Sequence, residues 1–486
     1  MKNTIIVALI STVTLAANCA NARETVISTT IGTGVNYSDR SFDDETVDLP
    51  PLPDDAVTPT NMPQNQPPVG MDSNMGMDVP QDDERGEFII SPTITLFTKS
   101  SSDSAILSYT PSINYDFIES DASDINHKAR VGYQKELTDT WDLKIYDLFK
   151  NTDEYESNRP QKNSSENDFV DELIASIPAM NDRLRDDFGR RRYSRNELTT
   201  STGFTYAEDN RISLGYGWDH LEYDEEESDN GRYQNYDKYK VNLAVSHELT
   251  SLWTVKGYTQ YLRGSYDTED ASDDDLNEFH LGGILETDVI QSHPMSLSYD
   301  FSLTNYDDET ADENQIHKLT LGYQPISSPA FDVRLGAGPT YTKLSDSEDS
   351  WDFNGYLNVL YGIGPGSFRF TSDVGTIFDN FSGTKDRGLT DYWQSRAEYS
   401  YPVNDSWKIS LYGGYRDETR DEINTDSEVD VTQLFAGGGL QYSINESYDV
   451  GLNYDYTVQD SDSPEDSYDE NRVLLFLSYR TDLFSW

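Results

Sequence analysis

A chain of 486 residues with 88 acidic and 36 basic side chains carries a formal net charge of −52, which repels polyanions and excludes nucleic acid as a partner. Only 35% of its residues are hydrophobic and its mean hydropathy is −0.70, yet 33 Tyr, 19 Phe and 7 Trp are more aromatics than a disordered acidic chain carries. A single cysteine, Cys19, excludes a disulfide framework.

Residues 1–22 read as a secretory signal: Lys2, an apolar stretch over 5–17, and "ANA" at 20–22 before Arg23. Cleavage there removes Cys19 and leaves a chain without thiols. No later segment offers the roughly 18 apolar residues of a membrane helix. A first alternating stretch, 25–37, is followed by a Pro-, Asp- and Met-rich insert over 41–87, with "LPPLPDD" at 49–55 and "MDSNMGMD" at 71–78. This composition predicts a disordered insert.

From residue 88 onward the chain alternates apolar and polar residues with period two. In "SYDVGLNYDYT" (447–457), Tyr448, Val450, Leu452, Tyr454 and Tyr456 share one side, while Asp449, Gly451, Asn453 and Asp455 share the other. The pattern predicts strands at 25–37, 88–98, 106–117, 126–137, 140–150, 196–207, 211–222, 236–249, 252–263, 278–287, 295–306, 315–324, 331–343, 351–362, 367–378, 391–402, 406–416, 431–443, 447–458 and 472–482. That is about 20 strands, or 18 if the first two stand apart and 23–105 forms a periplasmic tail or plug. Short connectors such as "AEDN" (207–210) and "IGPG" (363–366) take turns with long acidic ones such as "DETRDEINTDSEVD" (417–430). Close copies of one hairpin recur, "ELTDTWDLKIY" at 136–146 and "ELTSLWTVKGY" at 248–258 among them. Trp141, Trp253, Trp407 and Tyr448 each follow a short turn, as an interfacial aromatic girdle requires.

These features predict an all-β, closed antiparallel up-and-down transmembrane β-barrel with short periplasmic turns and long acidic extracellular loops. A water-soluble sandwich is the competing fold, but its strands are shorter and its connectors do not alternate in length. A barrel in lipid needs one outward apolar layer and no dry core, which reconciles low hydropathy with clean alternation. The last strand, "NRVLLFLSYRTDLFSW", ends in Trp486. It resembles the C-terminal strand of bacterial outer-membrane proteins, in which the terminal aromatic is an assembly signal. The chain as a whole resembles outer-membrane porin-like barrels and, in size and style, the β-barrel porins associated with exopolysaccharide pathways. That resemblance implies a Gram-negative outer membrane, with lipid, lipopolysaccharide and the barrel assembly machinery as partners.

With the polar face inward, the expected lumen holds the acids Asp300, Asp332, Asp352, Asp373, Glu398, Asp449 and Asp455. Its bases are Lys144, Arg211, Lys256, Arg334, Arg369, Arg396, Lys408 and Arg416, and Tyr146, Tyr258, Tyr356, Tyr392 and Tyr412 are placed to stack on sugar rings. These charges either polarise a pore or pair with one another and stiffen it. Phe169, Leu173, Ile177, Met180, Leu184 and Phe188 recur at helical spacing within the long loop 151–194, predicting a helix that narrows the lumen or caps it. The arginines at 190–192 and Arg195 are candidates to grip lipopolysaccharide phosphates.

No calcium-loop spacing, G-x-S-x-G or H-E-x-x-H occurs, so no metal, cofactor or catalytic group is expected. Of the histidines, His127, His220 and His247 fall on the lipid-facing series and His280 points inward. The expected function is passive passage of hydrophilic solutes, oligosaccharide or exported polysaccharide among them. The alternative is a non-conducting structural or adhesive barrel acting through its acidic loops.

Overall fold

The computed structural model describes residues 24–42, 83–118, 124–153, 184, 192–208, 210–224, 233–267, 275–290, 293–306, 313–345, 349–383, 388–422, 428–462 and 467–485. They form twenty strands: β1 (Glu24–Phe42), β2 (Asp83–Lys99), β3 (Asp103–Asp116), β4 (Asp124–Thr138), β5 (Trp141–Thr152), β6 (Tyr193–Ala207), β7 (Asn210–Tyr223), β8 (Asn235–Thr250), β9 (Trp253–Asp267) and β10 (Leu276–Thr287). The second half comprises β11 (Met295–Tyr306), β12 (Asn314–Ser327), β13 (Phe331–Lys343), β14 (Ser350–Ile363), β15 (Gly366–Asp379), β16 (Gly388–Pro402), β17 (Trp407–Glu422), β18 (Glu428–Asn445), β19 (Tyr448–Ser461) and β20 (Tyr468–Ser485). Each strand pairs antiparallel with its neighbours in chain order, and β20 pairs with β1 from Val26↔Ser485 to Phe42↔Tyr468. The sheet therefore closes with twenty strands, and β1 and β2 are wall rather than tail. Among the described residues no helix is long and apolar enough to cross a membrane; the chain crosses with strands.

Period two decides which side chains meet lipid. Residues directly opposite in an antiparallel ladder lie on the same face. On β7, Ile212, Leu214 and Tyr216 are exposed on the outside, whereas Asp219 and Leu221 on the other face have no exposed surface. The outward series continues through Leu243 on β8, Leu321 on β12, Leu335 on β13, Leu452 on β19 and Leu475 on β20, all exposed. This is the apolar band of a transmembrane barrel.

The short turns are built to one plan. Asn404 Oδ1 accepts the backbone N–H of Ser406 and Trp407, both at 2.9 Å, and Asn445 Oδ1 accepts those of Ser447 and Tyr448 at 2.9 and 3.1 Å. Thr138 Oγ1 does the same for Thr140 and Trp141 at 3.3 and 3.1 Å. A turn side chain thus fixes the aromatic three residues on. Trp141, Trp253, Trp407 and Tyr448 all face outward at this end. Three of them pack on an aromatic of the next strand: Trp141 on Phe204 at 5.6 Å, Trp407 on Tyr442 at 4.6 Å, and Tyr448 on Tyr479 at 4.7 Å. In the "IGPG" turn, Gly364 has φ +58°, a conformation that side chains other than glycine resist.

At the opposite end the strands outrun the periodicity. β17 continues to Glu422, β20 begins at Tyr468, and β1 and β2 extend to Phe42 and back to Asp83, into the expected 41–87 insert. The remainder of that insert, and residues 1–22, lie outside the described residues. The physical reason is that polar residues occupy the outward face there while the backbone ladder continues. On that face Thr419 Oγ1 donates to Asp430 at 2.6 Å, and Thr432 Oγ1 donates to Asp417 at 2.9 Å.

One pairing stops short. β14 meets β15 from Ile363↔Gly366 to Gly355↔Val374 only, although β14 stays paired with β13 up to Ser350 and β15 with β16 up to Asp379↔Gly388. Beyond Val374 the tip of the β15–β16 hairpin has left β14.

Candidate functional site in the barrel lumen

The register places every expected lumen residue on the inner face. Asp300 stands opposite Lys318, Asp332 opposite Leu360, and Arg334 opposite Asn358. Arg369 faces Glu398, Asp373 faces Tyr356 and Gln394, and Arg396 faces Gly414. Lys408 lies beside Gln441, Arg416 beside Gln433, Asp449 beside Ser443 and Asp455 beside Gly437, while Asp352 lies beside Thr340.

Many of these charges pair along their own strand, two residues apart. Arg334 Nε lies 3.1 Å from Asp332 and Arg396 Nε lies 2.7 Å from Glu398, while Glu418 holds both Arg416 and Arg420. Other expected lumen charges are held across strands. Lys256 meets Glu286 at 2.8 Å and Arg211 meets Asp142 at 2.5 Å. Asp373 accepts from Gln394 at 2.8 Å and Asp449 accepts from Ser443 at 2.5 Å. The inner wall is thus a set of local ion pairs and polar contacts, and much of its charge is compensated within it.

The inward aromatics follow a second rule. Tyr146, Tyr258, Tyr356, Tyr392 and Tyr412 each stand directly opposite a glycine: Gly132, Gly282, Gly336, Gly375 and Gly437. Phe435 and Phe476 do the same with Gly414 and Gly451. At Gly282, Gly336, Gly437, Gly414 and Gly451 the ring occupies the space that a Cβ would take. These rings therefore lie along the wall instead of projecting across the lumen. Tyr258 extends over Gly282 to donate to Asp300 at 2.6 Å. A ladder of hydroxyls covers another sector, with Thr93 bonded to Thr110 at 2.7 Å and Ser91 to Ser112 at 2.8 Å.

The lumen is crossed by residues 380–383, at the tip of the β15–β16 hairpin. Asn380, Phe381 and Ser382 are buried against the facing wall of β7–β11. Tyr306 donates to Asn380 Oδ1 at 2.8 Å, Tyr266 donates to the Asn380 carbonyl at 2.6 Å, and Asn380 Nδ2 donates to Glu278 at 2.5 Å. The Phe381 ring stacks on Tyr266 at 5.9 Å and meets Tyr236 edge-on at 5.4 Å, with Lys238 Nζ 4.1 Å from its centroid. Gly264 leaves the floor open: a Cβ there would sit 2.8 Å from the ring. Gly383 has φ +79° and accepts the N–H of Gln234 at 2.9 Å. Leu184 packs in the same cluster as Leu221 and Tyr223. Below it, Arg195 is held by Asp219 at 3.0 and 2.8 Å, and Tyr236 donates to the same carboxylate at 3.1 Å.

One expectation changes. Arg195 is not a rim residue free for lipopolysaccharide: it faces inward, is buried, and is committed to Asp219. Arg192 contacts Asp124 and donates to Asn151 at 2.7 Å and to the Ile125 carbonyl at 2.8 Å, while 190 and 191 lie outside the described residues. The expected helix carrying Phe169, Leu173, Ile177, Met180 and Phe188 also lies outside them, and Leu184 alone is placed, as a buried residue. Sequence reasoning missed Asn380 and Phe381 because 380–383 carries neither periodicity nor a charge run. It missed Glu418 and Arg420 because its strand ended at 416. His127, His220 and His247 sit on the outer face in contact with Tyr109, Trp218 and Tyr206. His280 faces inward between Glu278 and Ser302, at 3.0 and 2.8 Å.

No family model matches the chain, and no curated protein does. Solved structures that it is similar to include the siderophore receptor PirA from Pseudomonas aeruginosa, at 8% identity and a TM-score of 0.48, covering 95% of this chain and 80% of that one. A BenF-like porin from Pseudomonas fluorescens Pf-5 matches at 8% identity and a TM-score of 0.44, over 94% and 99%. OccAB2 from Acinetobacter baumannii matches at 10% identity and a TM-score of 0.42, over 94% and 98%. At these identities and scores, what those proteins carry does not transfer to this chain.

Proposed function

We propose that the chain is a channel of the Gram-negative outer membrane that lets hydrophilic solutes pass passively, with saccharides, oligomeric or exported as polymer, as the solute class. The observation that carries this reading is the inner face. A closed barrel with an apolar band outside has charges, hydroxyls and amides inside, where a structural core would be apolar. Aromatic rings laid along that wall offer sugar rings flat surfaces to slide over, and the paired charges beside them offer hydroxyls both donors and acceptors.

Lipopolysaccharide surrounds such a barrel, and the assembly machinery inserts it; Trp486, the proposed assembly signal, lies outside the described residues. The finger formed by 380–383 narrows the passage and is the observation that favours the second reading, a barrel that does not conduct. Planar-bilayer recording of the purified protein decides between them. Unitary steps, interrupted by transient closures when maltohexaose is added, are the expected result. A preparation that inserts, runs as a folded barrel and shows no steps refutes the channel and leaves the structural or adhesive role.

A further inference from the structure

We propose that the cradle on β8–β11 is a binding site for one pyranose ring of a neutral saccharide, and that Asn380 and Phe381 occupy it while no sugar is present. The inference rests on the saccharide reading above and deepens it, since finger and solute then compete for one seat.

The cradle's chemistry is displayed by what fills it. Phe381 is a flat apolar disc, lying nearly parallel to and offset from Tyr266 with an interplanar angle of 19° and edge-on to Tyr236 at 74°. The C–H face of a pyranose presents a comparable flat apolar surface to the same rings. Next to this disc, Asn380 supplies one donor, to Glu278, and two acceptors, to Tyr266 and Tyr306. A hydroxyl both donates and accepts, so a pair of neighbouring sugar hydroxyls reproduces all three bonds. Glu278 and Lys238 bring one charge of each sign to the seat, and His280 adjoins Glu278 at 3.0 Å. The balance favours a neutral ring over a uronic acid. Aromatic plates with a few convergent polar groups are the ordinary make-up of a small-ligand site.

The occupant is also built to leave. Beyond Val374 no ladder ties β15 to β14, and although β16 stays paired with β17 as far as Gly388↔Glu422, residues 380–383 lie past the end of these ladders and make their contacts across the lumen. The apparent affinity for a ligand falls by the fraction of molecules whose site is free. Removing the finger must therefore tighten sugar binding, a direction opposite to that of an ordinary contact residue.

Calorimetric titration of the full chain in detergent with neutral gluco-, manno- and galacto-hexaoses tests this, using variants that still run as folded barrels. The double variant Asn380→Ala/Phe381→Ala is expected to bind at least one hexaose about tenfold more tightly than the wild type, from the hydrogen bonds no longer competed for. Adding Glu278→Ala to that background, where the finger no longer matters, is expected to weaken binding by about tenfold or more. Unchanged or weaker binding in the double variant overturns the proposal, as does the absence of binding by every hexaose. Binding is read without conduction, so a protein that binds as expected but shows no steps in a bilayer fails as a channel and keeps the site.

Discussion

The residues that fix this wall do so in pairs. Tyr258 lies over Gly282 and reaches Asp300, so Gly282→Ala puts a methyl into the ring and is expected to cost about 1–3 kcal/mol in urea unfolding from detergent. Combining it with Tyr258→Ala should recover part of that loss, because the clash goes with the ring. Arg195 and Asp219 form a buried pair of a different kind. Arg195→Ala strands a carboxylate that has no exposed surface and is expected to cost about 3–5 kcal/mol, whereas Arg195→Met with Asp219→Leu should cost much less. At this scale much was legible in the sequence. Alternation alone assigns Tyr356, Tyr392 and Arg416 to one face, because strand geometry leaves a side chain only two directions. What alternation does not carry is which inward residues meet: Glu418 joins Arg416 to Arg420 only because the strand runs past the point where its hydrophobic pattern ends.

Among the elements, the β15–β16 hairpin departs furthest from expectation. Its strands are legible; its tip is not, because crossing the lumen depends on partners more than seventy residues away, such as Tyr306 and Glu278. The helical spacing within 151–194 points to a narrowing element that lies, apart from Leu184, outside the described residues, and the described residues add a second one at 380–383, in the β15–β16 connection. Two consequences can be measured. Without a partner in β15, the β14 backbone over 350–354 is expected to exchange its amide hydrogens faster than that over 355–362, as hydrogen-exchange mass spectrometry of the detergent-solubilised barrel would show. Equal protection would mean that the ladder closes in solution. Gly383→Val, at a positive φ and against Tyr223 and Leu221, is expected to dislodge the tip and enlarge unitary conductance. Unchanged conductance would place the narrowest point elsewhere.

For the whole molecule, the strand number and closure were legible and the reason is chemical. A net charge of −52 with a low mean hydropathy is reconciled with clean apolar alternation by one apolar layer facing lipid around a polar interior. The protein is accordingly expected to need detergent for solubility and to give a β-type circular dichroism spectrum; free solubility would refute the architecture. The closing ladder has one more implication. Arg40 reaches Glu470 at 3.0 Å and Arg472 reaches Asn36 at 3.2 Å, so strands β1 and β20 are stitched side by side. The described wall is in effect a hoop whose one seam without a covalent connection lies between β20 and β1. A short linker from 485 to 24, with new termini opened between β17 and β18 at 423–427, should yield a circular permutant that keeps every rung of the original cylinder.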